Sequence, residues 1–173
     1  MDSALLEKIK RTYSKRHSTL LISGQSQRAT ALGYWAASDP TQLFELFKKV
    51  RLQNFKKFLD LGSGDGIAVA VASLFTDASG IEIDAELHKE AKQLTSRLGL
   101  HCTLKCKDYL DEDLSAYDFI FINPDNYFHR LEKKLVEEFK GTLVIVDNIF
   151  RPLTLDTGRS LSVAGVSYSR FLL

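Results

Sequence analysis

The stretch Phe58-Leu59-Asp60-Leu61-Gly62-Ser63-Gly64-Asp65-Gly66 decides the fold, with Gly80-Ile81-Glu82-Ile83-Asp84 following about twenty residues later. An apolar strand runs into a tight glycine turn, a helix follows, and a second strand ends on an acid. That succession is the βαβ unit that holds a nucleoside-bearing ligand. Gly62, Gly64 and Gly66 let the backbone turn sharply and approach a ligand without Cβ clashes. Glu82 stands where a carboxylate accepts hydrogen bonds from two ribose hydroxyls.

Working outward, the alternation of β and α continues. The first helix is expected to run through Ala68 to Phe75, and a second from Ala85 to Leu98, closed by Gly99. His101 to Lys107 alternates polar and apolar residues, as a strand near a sheet edge does. Asp118 to Ile122 is apolar after its first residue and reads as a central strand. A helix from Tyr127 to Phe139 leads to a fifth strand, Thr142 to Val146. The tail reads as two short strands, Ser160 to Val163 and Val166 to Leu172, around Ala164-Gly165. The expected fold is α/β and Rossmann-like: a mostly parallel twisted sheet with helices on both faces and a short C-terminal hairpin. Before it, Leu5, Leu6, Ile9 and Tyr13 recur at helical spacing, and Asp39-Pro40 reads as an N-cap followed by Pro at the first helical position. Residues 1–51 are therefore expected as a helical segment on a core domain of residues 52–173.

Bulk properties narrow the class. The chain has 173 residues, 45% hydrophobic and 26% charged, as an ordinary globular domain has. No apolar run approaches the ~18 residues that span a bilayer, and no signal-peptide core is visible, so a cytoplasmic protein with no membrane partner is expected. Cys102 and Cys106 read as free thiols, and the four histidines lack ligand spacing, so no metal is expected. Net charge is +1, but 11 of the 23 Lys and Arg lie in the first 57 residues with only 4 of the 22 Asp and Glu. A basic entry segment on an acidic core either meets a macromolecular substrate or packs on its acidic neighbour.

The glycine spacing is G-x-G-x-G, not the G-x-G-x-x-G of a dinucleotide site, and Asp60 and Asp65 flank the turn. Carboxylates repel a pyrophosphate but attract an ammonium or a sulfonium. With these residues the segment resembles the first motif of the class I S-adenosylmethionine-dependent methyltransferases. The resemblance implies S-adenosyl-L-methionine as cofactor, held by Asp60, Gly62, Gly64, Asp65, Gly66 and Glu82, with Ile83 on one adenine face. Lys107-Asp108-Tyr109 is similar to the segment whose acid accepts from the adenine amino group; Tyr109 covers the other face or packs.

Asn123-Pro124-Asp125-Asn126-Tyr127-Phe128 resembles the D/N-P-P-Y/F motif of methyltransferases acting on amino or amide nitrogens, with Asp125-Asn126 in place of Pro-aromatic. It implies Asn123, Asp125 and Tyr127 as the residues that position a nucleophile, Asn123 also bordering the cofactor. Asp39-Pro40-Thr41 before the first strand, and the pattern from Leu131 to Asp147 with Leu135, Glu138, Gly141, Thr142 and Val144, look like the small archaeal protein-lysine methyltransferases. The expected function is methyl transfer to an amine nitrogen of a macromolecule, protein before RNA. The alternatives are an RNA or small-molecule N-methyltransferase and, from another class, a module that binds the cofactor without catalysis.

Overall fold

A computed structural model describes residues 3–25, 27–30, 33–155 and 158–173. The chain runs α1 (Ser3–Ile22), β1 (Gln27–Ala29), β2 (Tyr34–Ala36), α2 (Pro40–Lys49), β3 (Lys57–Leu61) and α3 (Ile67–Ala72). It continues with β4 (Asp77–Glu82), α4 (Ala85–Leu98), β5 (Thr103–Cys106) and β6 (Phe119–Ile122). It ends with α5 (His129–Glu138), β7 (Thr142–Val146), β8 (Arg159–Val163) and β9 (Val166–Leu172).

Seven strands form one sheet in the order β5-β4-β3-β6-β7-β9-β8. The first five in that order are parallel, and β9 and β8 are antiparallel to their neighbours. The placement follows residue patterning. All four residues of β6 are buried, and it lies between β3 and β7, as a continuous apolar run requires. The alternating β5 is an edge strand. Period-two alternation divides the core: Phe58, Phe119 and Phe121 face a layer built on α1, α2, α3 and α4. Leu59, Leu61, Ile120 and Ile122 face α5. In the first layer the Phe47 ring meets Phe58 edge-on at 5.3 Å and Phe121 at 5.8 Å.

Caps fall where the residues ask for them. The Asp39 carboxylate accepts from the Thr41 and Gln42 N–H groups, both at 2.8 Å, ahead of Pro40. Gly99 closes α4 in the left-handed region at φ 69°. The expected C-terminal hairpin is present. Ala164 and Gly165 turn it with φ of 49° and 81°, the geometry of a two-residue loop whose twist matches the strands.

Two differences are physical. The first core helix ends at Ala72 rather than Phe75, and the N–H groups of Phe75 and Thr76 both fold back to the Ala72 carbonyl. The N-terminal segment is not helical throughout, because β1 and β2 pair antiparallel with Arg28 opposite Trp35. Strands of three residues are too short to show a period, so hydrophobic patterning does not mark them. Among the described residues no helix is long and apolar enough to cross a membrane.

Candidate functional site

Ligands of open α/β sheets bind outside the carboxyl ends of the strands. There the protein has a cleft of about 560 Å³, within the ~300–1,000 Å³ usual for ligand pockets. Asp60, Gly62, Gly64, Asp65, Glu82, Ile83, Asp108, Tyr109, Asn123, Asp125 and Tyr127 all border it.

Its floor is the glycine turn. The N–H groups of Gly62 and Ser63 both donate to the Ile81 carbonyl, at 3.0 and 2.8 Å, which sews the turn to β4. Glu82 completes the join. Its Oε2 accepts from the Gly64 N–H at 2.7 Å and its Oε1 from the Asp84 N–H at 2.8 Å. Each carboxylate oxygen keeps a further lone pair for an incoming hydroxyl. Burial raises the Glu82 pKa, against the pull of the Asp84 and Gly64 N–H groups. Gly64 lies at φ 53°, and a Cβ there would sit 2.6 Å from Cδ1 and Nε1 of Trp35, so only glycine lets the indole lie on the turn.

Asp60 is only 4% exposed, and among the described residues no Lys, Arg or His is paired with it. Burial, then the Glu82 and Asp65 charges, hold its pKa well above the usual range. An acid kept at that cost beside a cleft fits a cationic ligand, and the size of the cleft and the free lone pairs of Glu82 fit a nucleoside. The residues thus suit S-adenosylmethionine.

Two expected cofactor residues, Asp65 and Gly66, also tie the turn to the helices beneath it. The Asp65 carboxylate is engaged with α1: Arg16 Nη1 donates to Oδ2 at 2.7 Å, and His17 Nε2 lies 3.4 Å from the same oxygen. It does not stand free to meet a ligand's positive charge, because a buried carboxylate takes the cation placed against it. Gly66 caps α3 at φ 80°; a Cβ there would meet Ala91 at 3.0 Å and the Tyr13 hydroxyl at 3.7 Å, away from the cleft.

Beyond β5, Asp108 Oδ1 accepts from the Leu110 N–H at 2.8 Å and Oδ2 remains. Burial, then Asp108 and Asp125, raise the Tyr109 pKa. Glu112 braces this loop, bonded to Lys105 at 2.5 Å, the Tyr117 hydroxyl at 2.7 Å and Lys107 at 3.1 Å. Burial opposes its ionisation, but these donors outweigh burial and bring its pKa down to about 2.

At the other end Asn123 is exposed at the end of β6. Asp125 Oδ2 accepts from the Tyr34 N–H at 2.6 Å, so this loop is fastened to the N-terminal hairpin. Asn148 Nδ2 donates to the Pro124 carbonyl at 2.7 Å, and its Oδ1 accepts from the Phe150 N–H at 2.7 Å. The Tyr127 ring is 58% exposed, edge-on to Phe150 at 5.2 Å and parallel to His129 at 6.0 Å.

Sequence reasoning missed Arg16 and Asn148. Asp147, the last residue of the pattern from Leu131, turns instead to β9, where its carboxylate accepts from Ser169 Oγ at 2.6 Å. Successive strand residues point to opposite faces, so a shift of one position exchanges the residue at the rim. Arg16 could not be found from spacing, since its partners lie some fifty residues away and more.

A glycine turn stitched to the next strand by an acid, at the head of this strand order, is the build of a class I S-adenosylmethionine-dependent methyltransferase. More narrowly, the chain belongs to the histone methylation protein DOT1 family, whose pattern it matches over residues 33–156. Among solved structures, an RNA methyltransferase from Salinibacter ruber in complex with S-adenosyl-L-homocysteine is 21% identical, with TM-score 0.65. The match covers 80% of this chain and 93% of that one. A hypothetical protein of Thermus thermophilus is 21% identical over 84% of this chain and 91% of its own, with TM-score 0.64. An S-adenosylmethionine-dependent methyltransferase from Aquifex aeolicus is 18% identical over 79% and 98%, with TM-score 0.52. Identities this low speak for the fold alone. No curated protein sequence matches the chain.

Proposed function

We propose that the protein methylates an amine nitrogen of a macromolecule, a protein lysine first. The observation that carries this is the exposed Asn123 at the end of β6, beside Pro124 and the exposed Tyr127 ring, on the rim of the cleft. The family description names methylation of a protein, and the likeness to the small archaeal protein-lysine methyltransferases points the same way. RNA is the second reading, supported by the Salinibacter ruber structure, itself an RNA methyltransferase. In either reading residues 1–51 act as a segment laid on the catalytic domain of residues 52–173.

S-adenosylmethionine supplies, when bound, a methyl carbon on a positively charged sulfur. Glu82 offers its remaining lone pairs to ribose hydroxyls, and Asp108 its free oxygen to the adenine amino group. Ile83 and Tyr109 cover the base, and a cation bound beside Asp60 would favour the ionised form that burial and its acidic neighbours oppose. Asn123 presents an amide oxygen to an N–H of the incoming amine, which aims the nitrogen lone pair. The same acceptor stabilises the positive charge that grows on nitrogen as it attacks. Tyr127 offers an aromatic face to the lysine stem or its cation. A lysine ammonium must first lose a proton; Asp125, with one oxygen outside its bond to Tyr34, takes it directly or through water.

The test is incubation with methyl-labelled cofactor and total cell extract, followed by protease or RNase. Label released by protease, and found on lysine after hydrolysis, supports the reading. Label released by RNase alone sinks it.

A further inference from the structure

Tyr13, Arg16 and His17 stand at i, i+3 and i+4 on one face of α1, and all three converge on Asp65 in the glycine turn. Tyr13 donates its hydroxyl to the Asp65 backbone carbonyl at 3.2 Å, and His17 approaches the carboxylate. Arg16 does more. Its Nη1 holds Asp65 at 2.7 Å, its Nη2 bonds Glu90 of α4, and its guanidinium carbon lies 4.9 Å from the centre of the Trp35 ring. The Trp35 indole in turn lies directly on Gly64, where a Cβ would come within 2.6 Å of it.

One guanidinium therefore grips both the turn that forms the cleft floor and the ring that rests on that turn. The assembly is shielded on its inner side: the side chains of Arg16 and Asp65 are 15% and 1% exposed and Trp35 is 9% exposed, while Glu90, at 37%, reaches solvent. A planar fork satisfies two carboxylates and an aromatic face at once, which the compact ammonium of lysine cannot do.

We propose that Arg16 is a positioning residue for cofactor binding. It fixes Trp35 over Gly64 and engages the Asp65 carboxylate that flanks the turn. Affinity for S-adenosylmethionine is thereby set by a helix that precedes the cofactor domain. The inference does not depend on which substrate is methylated.

The chain has one tryptophan, so intrinsic indole emission reports on Trp35 alone. Three properties of wild type, Arg16→Gln and Arg16→Lys should be measured on the full chain: melting temperature, indole emission, and affinity for S-adenosylhomocysteine by calorimetry. Arg16→Gln should red-shift the emission and weaken S-adenosylhomocysteine about tenfold in the folded protein, the scale of one lost charge-assisted hydrogen bond. Arg16→Lys keeps the charge and loses the fork, so it should melt near wild type and still bind more weakly with shifted emission. If Arg16→Gln does not fold, Arg16→Lys alone decides. A lower melting temperature with unchanged affinity would mean that Arg16 only staples α1 to the core. Wild-type emission and affinity in a folded Arg16→Lys would likewise overturn the proposal.

Discussion

The two ends of the cleft are built differently. At the end built on the glycine turn, carboxylates accept from backbone N–H groups within one βαβ unit or one loop: Glu82 from Gly64 and Asp84, Asp108 from Leu110. At the other end, the proposed acceptor end, the Asn123 loop is held by other elements, through Tyr34 from the N-terminal hairpin and Asn148 beyond β7. The first end binds one unchanging ligand and gains by being preformed. In the proposed function the second admits a substrate surface, and its loop is tied by single hydrogen bonds that can part. A methyltransferase can thus keep its cofactor site fixed while its substrate end diverges.

The sharpest way to break that comparison is at Asn123. Asn123→Ala should cut methyl transfer about a hundredfold or more while leaving S-adenosylhomocysteine affinity nearly intact. If calorimetry shows cofactor binding falling in step with turnover, the two ends are not separable. The mirror experiment is Glu82→Ala. It removes both backbone braces and the ribose acceptor, and should weaken S-adenosylhomocysteine by about 1.5–3 kcal/mol. Unchanged affinity would put the nucleoside elsewhere.

Glu112 sharpens the comparison through pH. Its pKa is lowered from 4.5 to about 2, so its bonds to Lys105, Lys107 and Tyr117 contribute stability above pH 4.5. That contribution disappears as pH falls from 4.5 towards about 2. Glu112→Gln should therefore melt lower than wild type at neutral pH, by ~2 kcal/mol after allowing for screening. The gap should close in acid; a gap independent of pH would refute the ionic account.

Asp60 has the opposite sign and the smallest effect. Its pKa is raised by burial and by Glu82 and Asp65, so its ionisation burdens the ligand-free fold once pH exceeds the unfolded carboxylate range. Asp60→Asn should raise the ligand-free Tm at neutral pH by about 2–4 °C, equivalent to ~1 kcal/mol in a domain of this size. The gain should vanish at acid pH, and S-adenosylmethionine should lose more affinity than S-adenosylhomocysteine, which lacks the sulfonium charge. A lower Tm at neutral pH would show that the Asp60 charge is compensated after all.

The same contrast explains what could be read from the residues alone. The strands, the caps at Asp39 and Gly99 and the C-terminal hairpin rest on patterns contained in a few neighbouring positions. Periodicity and turn chemistry report such patterns directly. The Asp65–Arg16 pair, the Asp125–Tyr34 tie and the Asn148–Pro124 bond join residues brought together only by the finished sheet. Local spacing carries no trace of them. Asp65 is instructive because its residue type and position suited a ligand's charge, and only the arrival of α1 decided its partner.

The strand order also has a consequence for synthesis. β7 is complete long before β9, which seals its outer edge from Thr142 to Val146. At a synthesis rate of about 5–20 residues per second, that edge stays bare for a time on the order of seconds. An unpaired, largely apolar strand edge is a template for other nascent chains. The Ala164-Gly165 turn closes this window by delivering β8 and β9 together, so a slower turn there would show first as lost yield during translation, before any loss of activity in the mature protein.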